Sequence, residues 1–288
     1  MKLRLVLSVC LMIALFAPGS AWAAGPAGSS PNYLALGDSV AFGFIDEAGY
    51  EYYYPTNFVG YVDWTSLSLT PANAACPGET SGSFLSNTAP DDGCRLYRSL
   101  FPLHVVYGSI KGTQLAFATG FLQRYSGTQL VTIAVGGDDL LLLQQQCNDD
   151  PTCIENGAPQ VFATVEANMQ TILAALRATG YSGPIVVVNY YSPDYSNQFD
   201  TELIAGLNQA MTAPARAYGA VVADVFSAFQ AAASNRFAGG NTCVAGLLNA
   251  SNPPTSPPTC DIHPSQSGHK LITQVISQVY QSRRAIGR

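Results

Sequence analysis

The apolar residues of this chain gather into short runs, and the spacing of those runs restricts the fold more than any other feature. Tyr33 to Leu36, Leu130 to Val135, Ile185 to Val188 and Ala220 to Ala223 each meet Gly, Pro or Asp at one end at least. Runs this short and this uniformly apolar read as strands buried on both faces. Between them lie longer stretches with helical character: Thr113 to Arg124, Pro159 to Thr179 and Glu202 to Tyr218, with a closing helix from Ser265 to Arg283. Within Pro159 to Thr179, the residues Val161, Val165, Met169, Ile172 and Leu176 fall on one face, which marks core contacts. Strands alternating with helices imply an α/β fold, a parallel sheet covered on both sides. In such sheets, functional sites form in the loops at the carboxyl edge.

The finer reading adds a short helix over Thr56 to Trp64 and a weakly signalled strand over Thr65 to Leu69. A turn-rich loop runs from Asn73 to Cys94, a helix starts at Leu140, and another covers Val225 to Ala233. Tyr50, Tyr52, Tyr53 and Tyr54 fall in an expected surface loop, and Asn252 to Pro258 is irregular. No internal repeat or second domain is apparent, so residues 31–288 read as one domain.

Residues 1–23 have the pattern of an export signal. Lys2 and Arg4 precede an apolar stretch, Leu5 to Phe16, and Ala21-Trp22-Ala23 offers a cleavage site after Ala23 or Ala24. Residues 24–30 form a short linker. The apolar stretch is too short to span a bilayer comfortably, so a secreted protein without stable membrane insertion is expected. Losing Lys2 and Arg4 takes the formal charge from -6 to -8. With no basic cluster, that charge argues against nucleic acid as a partner. Cys10 leaves with the signal, and Cys76, Cys94, Cys147, Cys153, Cys243 and Cys260 remain. An even number in an exported chain suggests disulfides. The sequential pairing, 76–94, 147–153 and 243–260, closes three local loops and is the one expected. Zinc is the competing reading, but no Cys-x-x-Cys or His-x-x-x-His spacing supports it.

The first run ends at Gly37-Asp38-Ser39. A serine on a strand-to-helix turn is either a nucleophile beside outward-pointing N–H groups or simply an N-cap. A nucleophile needs a base, and the chain has three histidines. His104 sits in an apolar stretch and reads as structural. His269, early in the last helix, reads as a surface residue. His263 precedes Pro264, which disfavours helical geometry and sets the imidazole on an extended segment.

Gly37-Asp38-Ser39-Val40, Cys76-Pro77-Gly78-Glu79-Thr80, Gly136-Gly137-Asp138-Asp139-Leu140 and Asp261-Ile262-His263-Pro264 occur in the order and spacing of the SGNH, or GDSL, hydrolases. The chain resembles that family over nearly all of its mature length, and its cysteines look like those of secreted actinobacterial-type members. No G-x-S-x-G elbow is present, which disfavours the other large esterase fold. The resemblance implies a three-layer, flavodoxin-like α/β/α sandwich with about five parallel strands. It implies a metal-free, cofactor-free esterase or lipase, expected to be monomeric, acting on a small-molecule or lipid ester. Ser39 would be the nucleophile and His263 the base. The oxyanion would be held by the N–H groups of Ser39 and Gly78 and by the side chain at position 138. The 76–94 bridge would pin the Gly78 loop, at roughly 3 kcal/mol by chain entropy, and 243–260 would hold the segment before His263.

Two departures from the family pattern stand out. Asp138 occupies the place where the family has an Asn, and an ionised carboxylate accepts hydrogen bonds without donating any. Either it is protonated in a dry site, or Ser39 and Gly78 suffice at a lower rate. Second, Cys260 stands three residues before His263, where the family has its acid, and Asp261 only two before. Asp261 is then the third triad member, or a backbone carbonyl orients the imidazole. A carbohydrate O-deacetylase and a catalytically weak ester-binding protein are the alternative functions.

Overall fold

The computed structural model describes residues 30–44, 60–65, 68–105, 107, 112–250 and 258–286. The expected export signal, the tyrosine-rich segment and most of the irregular Pro-rich segment lie outside these residues. In chain order the first elements are β1 (Tyr33–Gly37), α1 (Ser39–Phe42), α2 (Tyr61–Thr65), β2 (Pro71–Asn73), α3 (Ser81–Leu85), α4 (Cys94–Leu100) and α5 (Gln114–Arg124). The middle of the chain forms β3 (Leu130–Ala134), α6 (Gly137–Gln146), α7 (Pro151–Ala178), β4 (Ile185–Val188) and α8 (Gln198–Thr212). After a 3-10 turn come β5 (Val221–Ala223), α9 (Val225–Ala233), β6 (Leu248–Ala250), β7 (Cys260–Pro264) and α10 (Gln266–Ile286).

Five strands form one sheet in the order β2-β1-β3-β4-β5, and each neighbouring pair is parallel. This is the flavodoxin-like strand order, which reverses direction next to β1. Strand side chains alternate between faces, so each strand feeds two cores. Leu34, Leu36, Val131, Ile133, Ile185 and Val187 pack with residues of α5, α7 and α8. Tyr33, Ala35, Leu130, Val186 and Val188 pack on the other side, with Phe229 of α9 and Ile272 and Ile276 of α10. The result is a three-layer α/β/α sandwich.

Several boundaries differ from the sequence reading. The weak strand lies at Pro71–Asn73, not Thr65 to Leu69. It is the sheet edge, where a proline as first residue removes no ladder bond. α7 starts eight residues before Pro159, because Asp150 caps it by accepting from the Cys153 N–H at 2.8 Å and Pro151 fits the first turn. α8 starts at Gln198 after an Asn197 cap, and ends before Pro214 instead of running on to Tyr218. The antiparallel β6–β7 pair has no counterpart in the sequence reading, although His263 is indeed on an extended segment. The bridges are Cys76–Cys94, Cys147–Cys153 and Cys243–Cys260. Among the described residues, no helix is long and apolar enough to cross a membrane.

Candidate active site

β1 is wholly buried and turns at Gly37, whose φ is +139°. A Cβ there would lie 2.0 Å from the Ala134 carbonyl oxygen, so only glycine lets β1 end this close to β3. Asp38 follows as the N-cap of α1, its Oδ1 accepting from the Val40 N–H at 3.0 Å. The cap position thus belongs to Asp38, and Ser39, the first helical residue, keeps its hydroxyl for other partners. Its Oγ lies 3.0 Å from His263 Nε2. Among the described residues, neither the Ser39 nor the Gly78 N–H has a backbone acceptor.

His263 reaches Ser39 from β7, and Tyr191 donates to the adjoining Ile262 carbonyl at 2.5 Å. Asp261 Oδ1 accepts from the His263 backbone N–H at 2.7 Å, but lies 3.7 Å from the ring Nδ1. That separation is too long for a hydrogen bond. Among the described residues, Nδ1 has no hydrogen-bond partner, carbonyl oxygens included. The ring packs against Phe44, centroids 4.8 Å apart.

Gly78 also needs to be glycine. Its φ is +81°, and a Cβ would meet the Asp92 carbonyl oxygen at 2.2 Å. The Asp92 N–H donates to the Gly78 carbonyl at 2.8 Å, and the Cys76–Cys94 bridge closes the same loop. Beneath this loop lies a clamp that no sequence signal announces, formed by Gln114. Its Oε1 accepts from the Gly37 N–H at 2.6 Å, and its Nε2 donates to the Gly37 carbonyl and to Glu79 Oε2, both at 3.0 Å. One buried amide therefore ties the turn before Ser39 to the residue after Gly78. Burial pushes the Glu79 carboxyl up to about 7, although it accepts from Ser83 Oγ at 2.5 Å and from Gln114. Cys76, Glu79 and Cys94 place ligand-type atoms within 4.8 Å of one another, but the two sulfurs are bonded to each other and are not thiolates.

Asp138 lies in the first turn of α6, not in a loop before a helix at Leu140. Its neighbour Asp139 is held by the Ser81 N–H and Oγ, each at 2.7 Å. Asp138 itself is 5% exposed, and its Oδ2 has no hydrogen-bond partner among the described residues. Burial, then the charges of Asp38, Asp92, Asp139 and Glu79, hold its proton well above the usual carboxylate range. Asp38 accepts from the Tyr190 hydroxyl, and burial pushes its carboxyl up to about 6.

Two cavities open on this arrangement and share Ser39, Asp138, Leu141 and Ile262. One, of about 260 Å³, contains His263 and Gly78, with Phe44, Tyr97 and Asp92 around them. The other, of about 180 Å³, lacks His263 and is lined by Leu140, Leu203, Ile204, Leu207, Tyr190 and Tyr191. The other two histidines stand apart. His104 Nε2 lies 3.0 Å from the Phe42 carbonyl oxygen, a structural contact. His269, read from sequence as a surface residue, is fully buried because the first turn of α10 faces α2. Its Nδ1 accepts from the Tyr61 N–H at 3.1 Å, and burial depresses its pKa to about 3.

A model of the GDSL-like lipase/acylhydrolase family matches residues 35–271. Among solved structures, phospholipase A1 from Streptomyces albidoflavus NA297 is 17% identical with a TM-score of 0.54, covering 87% of this chain and 99% of its own. The lipase Lip_vut3 from a goat rumen metagenome is 16% identical with a TM-score of 0.52, covering 86% and 96%. A single-site variant of Axe2, an acetyl xylan esterase from Geobacillus stearothermophilus, is 13% identical with a TM-score of 0.50, covering 88% and 95%. At these identities the likeness is one of fold. No curated protein matches the sequence.

Proposed function

The chain belongs to the GDSL-like lipase/acylhydrolase family, and from that premise we propose that it is an exported serine hydrolase cleaving carboxylic esters through an acyl-enzyme on Ser39. The observation that carries this reading is the 3.0 Å approach of Ser39 Oγ to His263 Nε2. Ser39 Oγ attacks the ester carbonyl carbon while its proton passes to His263 Nε2. The carbonyl π electrons move to oxygen, and this oxyanion faces the N–H groups of Ser39 and Gly78 and the side chain of Asp138. The tetrahedral species collapses, and His263 gives its proton to the departing alcohol. Water repeats the sequence and frees the acid.

The two cavities give the substrate a direction. The general acid must reach the leaving oxygen, so the alcohol lies in the cavity that contains His263. The acyl chain then takes the apolar cavity between α6 and α8. At about 180 Å³ this cavity exceeds the roughly 150 Å³ of an engineered cavity that binds benzene. An acyl group of roughly six carbons suits it, which favours an esterase or lipase over an O-deacetylase. The weak ester-binding alternative keeps one specific support, the acid at position 138.

A series of p-nitrophenyl esters from acetate to decanoate tests the reading. At about 0.8 kcal/mol per buried methylene, four added methylenes give a ceiling of roughly 3 kcal/mol, about 200-fold in kcat/KM from acetate to hexanoate. Ile204→Trp, which fills the cavity, is expected to erase most of that gain while sparing acetate. A Ser39→Ala variant that keeps its activity, or is still labelled by a fluorophosphonate, refutes the proposal.

A further inference from the structure

We propose that Asp138 acts as a neutral carboxylic acid, its O–H donating a hydrogen bond to the oxyanion, and that this chain thereby replaces an amide donor with a proton-bearing one. The inference rests on the ester-hydrolase reading and concerns the part of the site that departs from the family pattern. An ionised Asp138 would be a poor neighbour for a developing negative charge. It would also be a poor tenant of its own position. It is 5% exposed, Oδ2 lacks any partner among the described residues, and it lines both cavities beside Ser39. A buried carboxylate oxygen with no donor makes the charged form costly, and neutralisation is the usual escape.

The groups around it act the same way. Asp38 comes from the β1–α1 turn, Glu79 from the loop before α3, Asp92 from the loop before α4 and Asp139 from α6 itself, and each disfavours a second negative charge. The Tyr190 phenol already donates to Asp38. The opposing influences are the positive end of the α6 dipole and the His263 ring across the shared cleft. During attack the proton on Asp138 stays on Asp138. The Ser39 proton moves to His263, the carbonyl electron pair becomes the alkoxide lone pair, and Asp138 O–H joins the two backbone N–H groups in solvating it. Collapse returns the electron pair to the carbonyl with Asp138 unchanged.

The donor is present below the Asp138 pKa and lost as pH rises through it. Profiles of kcat/KM against pH for wild type, Asp138→Asn and Asp138→Ala test this. Wild type is expected to fall about tenfold per pH unit along an alkaline limb. Asp138→Asn lacks that limb and overtakes wild type along it. Asp138→Ala also lacks it, and runs roughly 10²- to 10³-fold below wild type at the acid end. An infrared difference spectrum of wild type minus Asp138→Asn should carry the carbonyl band of an un-ionised carboxyl, a signal that does not depend on turnover. An Asp138→Asn profile that parallels wild type or lies below it at every pH overturns the proposal, as does an ionised carboxylate signature at acid pH. Fluorophosphonate labelling separates the two levels. If Ser39→Ala stays labelled, the hydrolase reading fails. If Ser39 is the labelled residue but the limb is indifferent to position 138, only the present inference fails.

Discussion

Replacing Gln114 with Met should expose how much of this site depends on one amide. The side chain makes three hydrogen bonds: one from the Gly37 N–H, one to the Gly37 carbonyl and one to Glu79 Oε2. Met fills a similar volume and makes none of them. The Gly37 carbonyl still accepts from the Cys76 N–H at 3.0 Å, so it is not orphaned. The Gly37 N–H and the Glu79 carboxyl oxygen are. At about 1–3 kcal/mol per buried unsatisfied group, the loss is roughly 2–6 kcal/mol. Part of it depends on pH. Folding raises the Glu79 pKa from 4.5 to about 7, so the folded state holds a proton that the unfolded chain releases. Stability linked to Glu79 is therefore complete below about pH 4.5 and is lost as pH rises through about 7. The Gln114 bond opposes that rise, so removing it moves the pKa higher and deepens the loss at alkaline pH. Each further pH unit of separation adds about 1.4 kcal/mol above the new pKa. Urea unfolding of the oxidised protein at pH 5.5 and pH 8.5, followed by circular dichroism, measures both parts. A destabilisation below about 1 kcal/mol at both pH values, or one of equal size at both, refutes the reasoning.

Two other substitutions give sharp outcomes. Asp261→Asn should cost less than about tenfold in kcat, because Oδ1 serves the His263 backbone N–H and the ring lies 3.7 Å off; a loss beyond about 100-fold would make Asp261 the orienting acid. His269→Gln should flatten the acid side of the stability curve. The folded pKa of about 3 lies below the ordinary 6.5, so the stability tied to neutral His269 is present above pH 6.5 and is lost as pH falls toward 3. Unfolding free energies from urea titrations between pH 7 and pH 4 should fall less in the variant, by a slope of up to about 1.4 kcal/mol per pH unit.

What the sequence discloses follows from which forces are local. β1, β3, β4 and β5 are short apolar runs because both their faces are covered, and little polar sequence interrupts the signal. The edge strand Pro71–Asn73 is three residues long, and its partner lies 38 residues away, so nothing local marks it. Ser39, Gly78 and His263 stand at turns or beside a proline, where glycine and proline leave a trace. Gln114 leaves none: it opens an ordinary helix, and its value comes from meeting Gly37, 77 residues distant. His269 misleads for a similar reason, since its helical position is polar by spacing but is covered by α2. The Asp150-Pro151 start of α7 is legible as a cap followed by a first-turn proline, but Pro159 inside the same helix imitates a second start and masks it. The division of the cleft into two cavities exists only in three dimensions, because α6, α8 and β7 build it together.

The placement of the bridges has a consequence for how the molecule responds to reduction. Cys76–Cys94 closes the loop behind Gly78, and Cys243–Cys260 closes the one leading to His263. None of the five strands of the main sheet contains a cysteine. The sheet thus draws its rigidity from burial, while the Gly78 loop and the segment before His263 draw part of theirs from oxidation, as does the turn between α6 and α7 through Cys147–Cys153. Reduction would therefore act first on the loop that carries Gly78, the segment that leads to His263 and the α6–α7 turn, and would break no bond inside a sheet strand.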